Sequence, residues 1–592
     1  MRMLNKMIVS FFLAALLGGC GNENILSETD GNVSDSSVVI QEFDTVMNND
    51  DPAITGGMLK YALVAESSFQ GIFNPVFSED SYDEELMGLS HESIFSYDED
   101  FQLTQAGMAT FVVNENLKTV SITLQDNLKW SDGAALTVDD ILYAYEVIGH
   151  PDYPGSLYGE AFANVLGMTE YHEGTADAIS GIEVLDDTHL TIAFKELNPS
   201  IFQAGGALWS QPLPRHQIES IPVSKMAGSA QLREQPVGTG PFRVKEIVPG
   251  ESVLFEANEY YWKGKPKLDH ILVEVVGSAT IVSEMEAGNY DVAIMPTSSY
   301  ETYKDFDNIT LLGREELATT YIGFKLGSRD VEAGDNSLNL SSKMADAALR
   351  QAMAYALDNE FVAAVLFDGL RQPANGMIPS VFEGVSADEA VGFSYDPEKA
   401  ASLLDEAGYL DNDGDGFRET PEGEQLEINF AAVSGGDAAE TVVAYYIQQW
   451  QEIGLNVSLA TGRLIEYQKF HDMLASDDSS IDAYQATWDI GMDPNPTEMF
   501  SGTSALNYTR WSSEKNDSLV DQLNVAGALD KNARMRIYRQ WQALLFEEAP
   551  VIPTFWQTQI FAVNNRVKNF NIRYGATRGW ETIELTSEEP VR

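Results

Sequence analysis

Only one cysteine, Cys20, occurs in the 592 residues. A lone thiol closes no internal disulfide, and once modified it leaves no cysteine nucleophile or cysteine metal site. Positive charge is scarce too: 36 Lys+Arg stand against 91 Asp+Glu, a formal net charge of -55. Lys and Arg are absent from Tyr61 to Leu117 and again from Trp130 to Ala193. Nucleic-acid recognition needs a basic footprint, so that class of partner is excluded. The same field attracts cations and basic peptides and keeps copies of the chain apart, which predicts a monomer. The histidines (His91, His150, His172, His189, His216, His270 and His471) show no HExxH or paired-ligand spacing, and no Gly-x-Ser-x-Gly elbow occurs. A hydrolase therefore has no motif behind it, and paired carboxylates mean little in so acidic a chain. Beyond the N-terminus no apolar run approaches the ~20 residues that span a bilayer.

The first twenty residues read as a processing signal. Arg2 and Lys6 form a short basic region, and Met7 to Leu17 is mostly apolar but too short to span. It ends in Leu17-Gly18-Gly19-Cys20, which resembles the lipobox of bacterial lipoproteins, where the cysteine is acylated and the chain cleaved before it. That resemblance implies a lipid anchor at Cys20 and a body on the outer face of a cytoplasmic membrane. Residues 21–56 are rich in Asn, Ser, Asp and Gly and predict a flexible tether, with folding starting near Met58.

Strand-like and helical patterns interleave from there on, so the fold class is mixed α/β. Leu59–Val64, Val120–Leu124, Thr188–Phe194, Ser252–Glu256 and Ile271–Val276 read as strands. Thr137 is a candidate N-cap for a helix running to Ile148, with Asp139 and Asp140 in its first turn. Leu349, Met353 and Leu357 form one stripe of a helix predicted over Ala345–Phe367, and Arg350 beside it predicts pairing with a carboxylate. Asp396, Pro397 and Gly408 bound a second helix, and Asp530 caps a third running to Glu548.

Several segments taken together resemble the extracellular solute-binding proteins of family 5, which feed peptide and nickel ABC importers. They are Leu128–Gly133 followed by Leu136–Asp140, Pro236–Phe242, Ala257–Pro266, Leu349–Asp358, Ala401–Gly408 and Pro550–Pro553. The resemblance implies a periplasmic-binding-protein-like, type II two-lobed clamp. Lobe 1 would comprise residues 57–93, 231–320 and 546–592, with an extra subdomain at 94–230, and lobe 2 would be 321–545. Crossings would fall near Tyr321–Phe324 and Ala549–Thr554, natural hinge positions.

The same resemblance implies an extended oligopeptide between the lobes, an ABC permease and ATPase as partners, no catalysis and no required cofactor. Asp493, in Trp488–Thr497, is the first choice for the carboxylate that receives the peptide amino terminus. Asp489 is the reserve, and Trp488 offers a flat surface near the cleft. Asn507, Tyr508 and Arg510 form a polar loop in which Arg510 would take the peptide carboxylate. Glu66 to Asn74, and Gly205, Gly206 and Trp209, are lining candidates. Nickel chelates, haem and dipeptides stay open as other solutes, as does a sensory or adhesive role. Asp411, Asp413, Asp415, Glu419 and Glu422 have the spacing of a calcium loop, although Arg418 stands where such loops carry an apolar anchor.

Overall fold

The computed structural model describes residues 40–386, 392–435, 438–575 and 579–592. Ten strands in chain order build its main sheet: β1 (Met58–Val64), β2 (Phe242–Val248), β3 (Ser252–Ala257), β4 (His270–Val276), β5 (Val292–Met295), β6 (Ile309–Phe324), β7 (Glu427–Ala431), β8 (Asn456–Leu459), β9 (Ala483–Asp489) and β10 (Val551–Asn564). Their spatial order is β8-β7-β9-β6-β10-β5-β1-β4-β3-β2, and Arg371–Pro373 adds a short strand beside β10. β1 runs parallel to β4 and β5, β7 runs parallel to β8 and β9, and β6 and β10 pair antiparallel. Five helices matter below: α1 (Ser81–Ser90), α2 (Val138–Ile148), α3 (Ala347–Tyr355), α4 (Pro397–Ala407) and α5 (Lys531–Glu548).

β6 and β10 are long strands, of 16 and 14 residues. Ile309–Glu315 pairs with Thr558–Asn564, and pairing resumes at Thr319 opposite Trp556. The irregularity between Glu315 and Thr319 interrupts the ladder midway and bends the pair there. Of the expected crossings, Tyr321–Phe324 lies inside β6, while Ala549–Thr554 begins just before β10 and runs into it.

Among the described residues, four hydrophobic cores fill the body, three of which bear on the site. One gathers Leu59, Phe242, Phe255 and Val273 around β1–β4. A second joins Val120, Ile122, Leu190 and Ile192 of a small four-stranded sheet to Ile141 and Tyr145 of α2. The third packs Leu349 and Met353 of α3 and Leu404 of α4 under β7 and β9.

Local chemistry sets the elements. Asp396 caps α4 by accepting from the Lys399 amide at 2.8 Å, and Gly408 ends it at φ 91, a left-handed conformation that glycine adopts without strain. Asp530 accepts from the Ala533 amide at 2.7 Å to start α5. Asp140 accepts from the Thr137 amide at 3.0 Å and from the Trp130 indole at 3.1 Å, which ties the Trp130–Asp140 motif into the second core.

Three expectations need correction. The helix predicted over 345–367 is broken: α3 ends at Tyr355, and Asp358 caps a new turn through the Phe361 amide at 2.8 Å. A strong local cap competes with helix continuation, although the Leu349, Met353 and Leu357 stripe is buried as read. Arg350 binds carbonyls instead of a carboxylate. Its guanidinium donates to Ala549 at 2.9 Å, Ala345 at 2.8 Å, Met344 at 2.5 Å and Glu548, so a cation sits on the free carbonyls that end α5. Lastly, residues 40–56 do not hang free. Met47 is buried, its amide donates to the Phe570 carbonyl at 2.8 Å, and Phe43 covers Gly313. The apolar residues scattered in this polar stretch supply the docking surface.

Candidate ligand cavity

α1 enters the cleft because both of its ends are fixed. Asp80 caps its start through the Tyr82 and Asp83 amides, each at 3.0 Å, and Asp83 folds back to accept from Gly71 at 2.7 Å and Ile72 at 2.8 Å. At the other end, Gly238 and Gly240 lie against the Ser90 backbone. A Cβ on Gly238 would stand 2.0 Å from the Ser90 carbonyl oxygen, so only glycine allows the approach.

α1 and the segment after it line a cavity of about 390 Å³. Its walls include Glu84, Glu85, His91, Glu92 and Tyr97 from that stretch, and Gly205, Gly206 and Trp209 from the extra subdomain. Tyr261, Met492, Trp580 and Glu581 complete the walls from distant parts of the chain. Glu85 receives the Tyr61 hydroxyl, and Glu92 receives Lys263 at 2.9 Å and the Trp262 indole at 3.0 Å. Burial pushes the His91 imidazole down to about 4, so it is neutral at pH 7. Ser90 Oγ lies 3.0 Å from its Nδ1, while among the described residues its buried Nε2 has no partner. Desolvation first, then the charge of Asp489 across the cleft, raises the Glu84 carboxyl above its usual range. A second cavity, of about 370 Å³, lies where β6, β9 and Arg371 meet the lobe 2 helices, with Glu316, Tyr467 and His471 on its walls.

Gly205, Gly206 and Trp209 come together at the first cavity. Asp489 is exposed at the end of β9 and faces Glu84 and Glu316. Trp488 is half-buried, edge-on to Phe500 at 5.7 Å in the lobe 2 core. Asp493 lies outside the large cavity. Its carboxylate accepts from the Ser200 hydroxyl and from the Asn495 amide at 3.2 Å, in a small void of about 40 Å³. Around it, segments remote in the chain touch: Gln203 Nε2 donates to the Met492 carbonyl at 2.7 Å, and Lys531 pairs with Asp100 at 3.1 Å. Phe101 is fully buried against Phe382 at 4.9 Å. Burial raises the Asp493 carboxyl above its ordinary value, more than its donors lower it.

Arg510 cannot take a peptide carboxylate. It is fully buried, with Nε donating to Asp477 at 2.7 Å and the other nitrogens to the Ala505, Asn507, Leu474 and Ala475 carbonyls. Lys325 joins the same Asp477 at 2.5 Å. Burial opposes ionisation of Asp477, but these two cations outweigh it and hold the carboxyl below its usual range. A cation in a Lys- and Arg-poor stretch marked a structural ion cluster, not a ligand contact. Asn507 is buried and donates to the Ser501 carbonyl at 3.2 Å and the Trp511 carbonyl at 2.8 Å, while Tyr508 is half-buried beside His471. Asn74 is a buried turn residue that accepts from the Val76 amide at 3.0 Å, and Glu66 receives the Ser278 hydroxyl.

Asp411, Asp413, Asp415 and Glu419 place oxygens within 4.8 Å of one another, an arrangement that could hold a metal ion. Glu422 is not part of the group. It lies beyond Glu419 in the turn that the Glu419–Gln425 bridge closes. Arg418 turns away to Asp405 at 2.5 Å. Cys20 lies outside the described residues, among which no helix is long and apolar enough to cross a membrane.

Residues missed by sequence reasoning are Glu84, His91, Tyr261, Trp580 and Glu581, which are remote in the chain and meet only through the sheet. One signal was available, since Tyr61 to Leu117 contains no Lys or Arg and supplies much of the wall.

Comparison with known proteins follows the same lines. Residues 104–508 match the model of the bacterial extracellular solute-binding proteins, family 5. The chain is similar to the oligopeptide-binding protein OppA of Lactococcus lactis, 30% identical over 97% of each chain. It is also similar to the oligopeptide-binding protein AppA of Bacillus subtilis, 22% identical over 89% of this chain and 91% of the other. Among solved structures, lactococcal OppA complexed with an endogenous peptide in the closed conformation superposes with a TM-score of 0.75 at 30% identity, covering 90% of this chain and 100% of the other. The fold is therefore the two-lobed α/β clamp of periplasmic binding proteins.

Proposed function

Because the chain belongs to the bacterial extracellular solute-binding proteins of family 5, we propose that it captures extended oligopeptides between its lobes and delivers them to the permease and ATPase of an ABC importer. Members of this family bind solutes without turning them over, so the chain is not an enzyme. What carries the peptide reading is the cavity of about 390 Å³ between α1 and the Gly205–Gly206 segment, which Met492 of the opposite lobe overhangs. Its size suits an organic side chain, and its walls combine aromatic rings with carboxylates. Similarity over nearly the whole length to an oligopeptide-binding protein supports the same reading. Backbone hydrogen bonds to an extended ligand give affinity without reading sequence, while pockets set preference.

Transport requires that ligand favour the closed lobes, since equal affinity for both forms would shift nothing. Ser200–Asp493 and Gln203–Met492 are the contacts that such closure would make. Cys20 would anchor the body to the membrane through lipid. A structural calcium ion at Asp411, Asp413, Asp415 and Glu419 would stiffen lobe 2 away from the cleft, and a calcium-dependent rise in the unfolding midpoint that disappears in Asp413→Asn tests it. Native mass spectrometry of gently released protein tests the main reading. Co-purifying peptides of mixed sequence are expected; a metal chelate or haem alone would overturn it.

A further inference from the structure

Four glutamates and no Lys or Arg line the large cavity, yet only two of the four are compensated. Glu85 has the Tyr61 hydroxyl, and Glu92 has Lys263 and the Trp262 indole. Among the described residues neither Glu84 nor Glu581 has a hydrogen-bond or ion-pair partner for its carboxylate. Asp489 adds a further negative charge close to Glu84 from the opposite lobe. Aromatic rings, those of Tyr97, Trp209, Tyr261 and Trp580, form much of the remaining wall.

Resting on the peptide reading above, we infer that this cavity selects a cationic side chain, arginine or lysine, from the bound peptide. Three physical arguments converge on that class. A neutral or apolar side chain filling the cavity would displace water from the exposed Glu84 and the half-buried Glu581 with nothing in return, a costly state for a carboxylate. An acidic side chain would add to four like charges. A cationic one supplies the missing counter-charge, and its long apolar stem and charged head suit aromatic faces through packing and cation–π attraction. A cavity of about 390 Å³ also exceeds what a peptide's terminal ammonium alone would fill, which favours a side chain as the source of the charge.

Isothermal calorimetry on the purified full chain tests this with heptapeptides that differ only at the central residue. The set has arginine, its neutral isostere citrulline, leucine or glutamate at that position, each with a free or an acetylated amino terminus. Arginine should bind about tenfold more tightly than citrulline, as one charge-assisted pair would give. The preference should survive acetylation and shrink to about twofold in Glu84→Gln and in Glu581→Gln. Equal affinity for arginine and citrulline, with both bound, would overturn the pocket assignment and leave the peptide reading intact. A preference abolished by acetylation would also overturn it, placing the amino terminus in the cavity. Failure of every peptide to bind would remove the peptide reading and this inference with it.

Discussion

His91 makes folding stability depend on pH in a direction set by its burial. Its imidazole is pushed from an ordinary 6.5 down to about 4 because the protonated ring would sit desolvated, with Ser90 Oγ as its hydrogen-bond neighbour. Between those values the unfolded chain binds a proton that the folded chain refuses. Stability from this residue is therefore complete above 6.5 and is lost as pH falls toward 4. The gap is worth about 3 kcal/mol in full, and about 2 kcal/mol of it is lost between pH 7 and pH 5. His91→Gln removes the titration while keeping a polar group within reach of Ser90. Urea unfolding followed by tryptophan fluorescence at pH 7 and pH 5, on both proteins, isolates the effect from the many carboxylates, which titrate alike in each. The wild type should lose about 2 kcal/mol more than the variant across that interval. Parallel losses would refute the reasoning and show that the ring is solvated or paired.

Other perturbations separate structural groups from binding groups. Asp477→Asn takes the counter-charge from the buried Arg510 and Lys325 and should cost about 3–5 kcal/mol, measured by the same unfolding titration. Gly206→Ala would bring a Cβ to 2.0 Å from the Ser200 carbonyl, forcing the 199–203 turn to move. It should cost about 1–3 kcal/mol and weaken peptide binding, which calorimetry reads alongside stability. Deleting residues 40–56 uncovers the groove that holds Met47 and should destabilise the body by about 2 kcal/mol, whereas a free tether would give no change in the unfolding midpoint.

What could be read from the sequence was local. The caps at Asp396 and Asp530 and the buried stripe of Leu349, Met353 and Leu357 depend on neighbours within a turn or two, and the chain states them directly. The break after Tyr355 was masked because the apolar spacing runs on past it, while Asp358 decides the backbone path. Arg510 looked conspicuous for its isolation in the chain, but isolation says nothing about depth, and the Asp477 that neutralises it is 33 residues upstream. Gly205, Gly206 and Trp209 were visible as bare backbone beside an aromatic. Glu84 and Glu581 were not, since almost 500 residues separate them and only the placement of β1 and β10 in one sheet brings their lobe 1 segments together.

Photo-crosslinking tests the central claim most directly: a peptide carrying one benzophenone residue is bound to the full chain, irradiated, and the labelled segments are identified by mass spectrometry. Labels should fall on 84–97, 204–211 and 485–492, which face one another across the cleft, and should vanish with excess unlabelled peptide. Competed labelling confined to the outer faces, such as the small four-stranded sheet or the 411–419 loop, would contradict a ligand held between the lobes.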